Sequence, residues 1–206
     1  MYMKAITVHE PYASLIKEGK SFYIVKDFDS KYSGPIAIHA GTSNDLNSNS
    51  LSINEKENIE KALGKDYKYH NGVIIAIAYM VRSWYLSSHS MPPNMFSSFP
   101  YYISEYLANI DEKKYGGWYD GKYAFQIQNV KVLDKPIPTK GHQRIWEWEI
   151  PNEVPVCNNC IYSAECGVET LLGCSNKKVL EKTNMDWTGY NATVHRFGYC
   201  NEFQVR

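Results

Sequence analysis

Apolar and polar positions change period several times along the first 150 residues, and each change marks an element. Residues 3–8 (MKAITV) form a short β-type run, which HEPY breaks with a proline suited to the first turn of a helix. Ala13, Leu15 and Ile16 fit a short helix stopped at Gly19. Ser21 to Val25 favour an extended strand, Tyr32 to Pro35 are turn material, and Ile36 to Ala40 predict the next strand. Residues 42–54, rich in Ser and Asn, read as a loop, after which Ile53, Ile59, Ala62 and Leu63 predict an amphipathic helix ending at Gly64. The run GVIIAIAYMV, residues 72–81, is the most strand-like in the chain. Residues 83–118 are longer than an ordinary connection and read as a lid or an insertion. Alternation over 123–133 predicts a strand, KPIPTKG a rigid loop, and RIWEWEI a closing strand. Pro151 and Pro155 mark a boundary, which divides the chain into a domain at 1–151 and a tail at 152–206.

Composition narrows the class. Charged residues make up 21% of the 206, Lys+Arg and Asp+Glu stand at 22 each, and aromatics reach 14%, values of a folding chain. Zero net charge argues against a general electrostatic grip on nucleic acid and leaves a local basic patch open. No stretch approaches the ~20 apolar residues of a bilayer span, and MYMKAITV lacks the layout of a signal peptide, so the expected location is the cytoplasm, away from membranes.

All five cysteines follow residue 156, spaced Cys157-x2-Cys160-x5-Cys166-x7-Cys174, with Cys200 further on. A C-x2-C pair is a chelating turn, and two further thiolates complete a tetrahedral site. Cys157, Cys160, Cys166 and Cys200 are the expected ligands, with Cys174 as the spare or the substitute, because RFGYCNEF reads as a returning strand. The metal is structural zinc or, alternatively, a [4Fe–4S] cluster. A tail of ~50 residues buries too little apolar surface to fold alone, and metal binding supplies what is missing.

Three stretches, KAITVHEPYASLIKEGK, YSGPIAIHAG and YAFQIQNVKVLDKPIPTKGHQRIW, resemble in order and spacing the ASCH domain of the PUA-like superfamily, over roughly residues 3–150. The resemblance implies an α+β fold: a small β-barrel with flanking helices, here carrying a C-terminal cysteine-rich appendage. It also implies a cleft suited to RNA or a nucleoside-sized ligand. Relatives include RNA binders and hydrolases, among them amidohydrolases acting on an acetylated cytidine and a ribonuclease type. Their chemical signature, G-x-K-x-x-(E/T)-x-R, meets Gly19, Ser21, Ile24 and Lys26 here. Isoleucine offers no titratable group, and a serine nucleophile needs a neighbouring base and an oxyanion site, so the motif leans away from an enzyme.

The candidate ligand contacts follow. Lys26, Lys140, Gln143 and Arg144 supply cationic and amide donors, while Tyr12, Phe28 and Trp146 supply flat faces for a base. His39, at the end of a buried strand, is either a ligand contact or a paired core histidine. Glu10 precedes Pro11 and either serves the helix N-terminus or points into the cleft. Three readings result: a binding protein for RNA or a nucleobase-containing ligand; a hydrolase with its groups moved to Glu10, His39 or Lys140; and an adaptor that engages a protein partner through residues 83–118 and the metal knob.

Overall fold

Runs of small and β-branched residues that bury both faces set the centre of the sheet. In the computed structural model, which describes residues 2–86 and 111–151 and the backbone of short strands at 102–103, 163–165, 171–174 and 192–195, β1 (Tyr2–Glu10) lies parallel to β3 (Gly34–Asn44). Lys4 faces Ile36 and Thr7 faces His39. The remaining elements are α1 (Tyr12–Lys17), β2 (Tyr23–Lys26), α2 (Ile53–Leu63), β4 (Val73–Leu86), β5 (Tyr102–Ile103), β6 (Tyr123–Pro138), β7 (Ile145–Glu149), β8 (Ser163–Glu165), β9 (Leu171–Cys174) and β10 (Ala192–His195).

The chain divides into two compact units, Lys4–Trp146 and a second that joins Met1–Met3 to Glu147–Arg206. In the larger unit the strands follow the order β2–β6–β4–β3–β1, with β5 parallel on β4, so the sheet is mixed. Its core is aliphatic, built from Ile6, Ile36, Ile38, Ile75, Met80, Phe125 and Ile127 among others. In the smaller unit β10, β9 and β8 form an antiparallel sheet in that order. No helix among the described residues is long and apolar enough to cross a membrane.

Several elements differ from the sequence reading. The expected rigid loop KPIPTKG is strand as far as Pro138, with Ile137 opposite Ile74 and Pro138 opposite Val73. The pairing of β2 with β6 ends at Gln126, so an N–H missing on that side at Pro136 or Pro138 removes no ladder bond. Three register shifts between β4 and β6 mark bulges that bend these long strands. The expected loop at 42–54 gives its first residues to β3, forms a 3-10 turn at Asp45–Asn47, and reaches the helix at Ser52. There Ser52 and Glu55 form a reciprocal capping box. Ile59 is buried, while Ile53 is exposed.

The end of the 83–118 segment is ordered by packing. A 3-10 turn at Asp111–Tyr115 buries Tyr115 against Leu15, Leu51 and Ile59, and Asn58 donates to the Lys114 carbonyl at 3.2 Å. The strap then turns at Gly116, whose φ is +81°; a Cβ there would lie 2.6 Å from Leu51 Cδ2 and 2.8 Å from Glu55 Oε1. Leu51 is held in the cluster and Glu55 in the capping box, so neither swings away easily. Gly121 has the same handedness, φ +80°, with nothing within 4 Å. The two glycines therefore separate backbone strain from crowding. Gly121→Ala should cost about 1 kcal/mol and Gly116→Ala about 2–4 kcal/mol in urea denaturation; equal losses would mean that the strap does not pack as described.

Candidate functional site

A cavity of about 1100 Å³ opens in the larger unit, between the end of β1, β2, the end of β3, the strap and the 139–144 loop. Thr7 organises one side of it. Its carbonyl accepts from Lys26 Nζ at 2.7 Å, and its hydroxyl donates to the His142 carbonyl at 2.9 Å while accepting from Trp146 Nε1 at 3.2 Å. One residue thus ties β2, the 139–144 loop and the start of β7 to β1. Gly141 lies so close that a Cβ would stand 2.5 Å from the His39 ring and 3.0 Å from Thr7 Oγ1.

Burial governs the charges. Lys26 is only partly accessible and its ammonium is desolvated, which holds its pKa down at about 8 against weaker attraction from Asp27 and Asp45. His39 is buried and shifted downward by desolvation, so its ring is neutral at neutral pH. Its Nε2 meets the Thr139 carbonyl at 3.1 Å; a carbonyl only accepts, so the proton sits on Nε2 and Nδ1 is left as an acceptor without a partner among the described residues. Tyr12 is raised well above the ordinary phenol range by burial.

Arg144 occupies the left-handed region with φ +58°, an unusual position for a residue with a side chain, and its guanidinium lies over the Phe28 ring, 5.4 Å from the centroid. Phe28 in turn meets Phe125 edge-on at 5.4 Å.

Six of the eight expected ligand contacts line this cavity: Tyr12, Lys26, Phe28, His39, Lys140 and Gln143. Glu10 and Trp146 do not. Glu10 is fully buried and accepts from Ser14 N at 3.0 Å, Ser14 Oγ at 2.9 Å and His70 N at 3.1 Å, so it satisfies free donors at the start of α1 and pins the chain before β4. Desolvation raises its pKa despite these bonds. Trp146 stands behind the lining, edge-on to His39 at 5.8 Å and tilted against His142 at 5.0 Å.

The strap adds residues that local pattern did not single out, chiefly Glu112, Trp118 and Tyr119. Trp118 packs edge-on against Tyr23 at 5.5 Å, and Tyr119 donates to the Ser50 carbonyl at 3.1 Å. Ser21 Oγ donates to Glu112 Oε2 at 2.6 Å, while Glu112 Oε1 accepts from Phe22 N at 2.8 Å. The serine of the family-type motif therefore does have a titratable neighbour, raised above the ordinary carboxylate value by burial. Both oxygens of Glu112 are engaged by β2 and its approach, which makes the contact a clasp that fastens the strap. Ile24 lines the cavity and brings no titratable group.

The expected metal ligands Cys157, Cys160, Cys166 and Cys200 lie outside the described residues; of Cys174 the backbone is described, opposite Ala192 and Ser163. Most of the expected partner-binding segment, residues 87–101 and 104–110, also lies outside them.

The buried ammonium makes a pH-dependent prediction. With a folded pKa of about 8 against an ordinary 10.5, the folded chain holds fewer protons than the unfolded chain between those values. Stability is therefore reduced by this group below pH 8 and recovers as pH climbs toward 10.5. Lys26→Met should be more stable than the parent at neutral pH by about 1–3 kcal/mol, with the gap closing in urea denaturation at about pH 10. A gap independent of pH would contradict the desolvation of Lys26.

No family model and no curated protein matches this chain. Among solved structures it is similar to the crystal structure of a point mutant of ZmASCH from Zymomonas mobilis, over 71% of this chain and 89% of that one, at 12% identity and a TM-score of 0.36. No residue of the cavity takes its role from that likeness.

Proposed function

We propose that the chain is a binding protein that recognises RNA or a nucleobase-containing ligand in this cavity, without hydrolase chemistry. The observation that carries the reading is the composition of one cavity wall set. Tyr12, Phe28, Trp118 and Tyr119 offer aromatic surface, Lys26, Lys140 and Arg144 offer cations, and Gln143 offers an amide able to pair with a base edge. Bases are held by stacking and phosphates by charge, and this pairing of groups serves both. At about 1100 Å³ the space exceeds a nucleoside and accommodates a nucleotide with a neighbour. Hydrolysis finds less support. Ser21 and Glu112 are consumed in holding the strap, and the free lone pair of His39, at Nδ1, is buried away from the cavity space.

A short single-stranded RNA should bind at low salt, with log K falling against log salt at a slope of about −2 if three cations meet phosphates. Absence of binding at low salt by the RNA and by mononucleotides alike, or binding indifferent to salt, would overturn the reading.

In the C-terminal segment the spacing of Cys157, Cys160, Cys166 and Cys200 supports a structural site for zinc or a [4Fe–4S] cluster. Metal analysis of the chain purified without chelators should give about one zinc or about four irons per chain; a metal-free, folded product would rule the site out.

A further inference from the structure

The cationic side of the cavity narrows the chemistry of the ligand. Lys26 Nζ carries three protons when charged and has one acceptor among the described residues, the Thr7 carbonyl at 2.7 Å. Asp27 and Asp45 attract it without hydrogen-bonding to it. Lys140 has no ion pair among the described residues, and Arg144 rests on Phe28 with its donors free of any carboxylate there. The nearby acids are otherwise occupied or exposed: Glu112 is clasped to Ser21 and Phe22, Asp45 faces His9 at 3.4 Å, and Asp27 is exposed to solvent.

Thr7 ties Lys26 to the loop that carries Lys140 and Arg144, since its carbonyl accepts from Lys26 and its hydroxyl donates to the His142 carbonyl. The left-handed backbone of Arg144 is a second sign of arrangement, because a strained residue persists where its surroundings fix it.

A desolvated ammonium with unused protons calls for an anion that is compact, strongly charged and rich in acceptors. A phosphate monoester carries roughly −1.5 to −2 charges at neutral pH and three terminal oxygens. A phosphodiester inside a strand has one charge, two free oxygens, and chain on both sides that must leave the cavity. We propose that the ligand carries a phosphate monoester and that Lys26, Lys140 and Arg144 hold it at the Thr7 end of the cavity. This rests on the reading of the cavity as a nucleobase site, and it adds which end of the ligand enters.

Proton linkage follows from the same geometry. The charged and titratable groups that share the cavity with Lys26 are Asp27 directly after β2, His9 from β1, His39 and Asp45 from β3 and the turn after it, Lys140, His142 and Arg144 from the loop, Glu112 from the strap, and Lys122 before β6; of these, Asp27 and Asp45 act on its charge. A bound phosphate favours the charged amine, so its binding takes up a proton above about pH 8 and weakens as pH rises.

The experiment is calorimetric titration of the full chain at low salt with the four ribonucleosides, their 5′-monophosphates, and a trinucleotide with and without a 5′-phosphate. At least one monophosphate should bind roughly tenfold or more tighter than its nucleoside at neutral pH, and the advantage should shrink by about pH 9.5. Lys26→Met should abolish the advantage and spare nucleoside affinity, while Lys26→Arg should keep the advantage and lose its pH dependence. Tight binding of the phosphorylated trinucleotide would identify an RNA end as the source of the monoester, and its exclusion would identify a free nucleotide; both support the anchor. Equal affinity for nucleoside and monophosphate, or an advantage untouched by Lys26→Met, would overturn the anchor and leave the nucleobase reading standing. Failure of every probe to bind would remove both.

Discussion

The placement of Thr7, whose carbonyl accepts from Lys26, is the constraint on which the cavity depends. It brings a cation from β2 to the backbone of β1, and the same threonine secures the 139–144 loop and the indole of Trp146. Thr7 itself is placed by the parallel pairing of β1 with β3, where it stands opposite His39. A slip of one residue would turn every side chain of β1 to the other face and separate these partners. Sheet register, loop position and the desolvation of one ammonium are thus linked through a single residue.

The strap and the Thr7 side of the cavity are built by different means. The Thr7 side is polar and held by hydrogen bonds from the sheet. The strap is held by burial of Tyr115 against α1 and α2, by the clasp of Glu112 on Ser21 and Phe22, and by a glycine turn that fits under Leu51 and Glu55. The cavity lining combines aromatic surface from α1, the residues after β2 and the strap with cations from β2 and the 139–144 loop.

Much of this was legible in the sequence because the three stretches resembling ASCH fall on β1 with α1, on β3, and on β6 through the start of β7. Tyr12, Lys26, Phe28, His39, Lys140 and Gln143 sit on or beside those elements, and all six line the cavity. Glu10 and Trp146 belong to the same stretches but turn to other work, one to the helix start and the other behind His39, because residue type does not say which way a side chain faces where a strand ends. Glu112, Trp118 and Tyr119 were illegible for a different reason. Their segment has no hydrophobic period, and its place is decided by contacts with Leu15, Ser21, Ser50 and Ile59, all far away in the chain. The aromatic and glycine-rich YGGWYDG was the one local hint that the segment packs.

The most direct test is to titrate the Lys26 amine itself, by NMR of side-chain-labelled lysine with Lys26→Arg for assignment. A midpoint of about 8, set by burial, is expected in the free protein. A midpoint near the ordinary lysine value of 10.5 would mean that the ammonium is solvated, and the cationic side of the cavity would lose its physical basis.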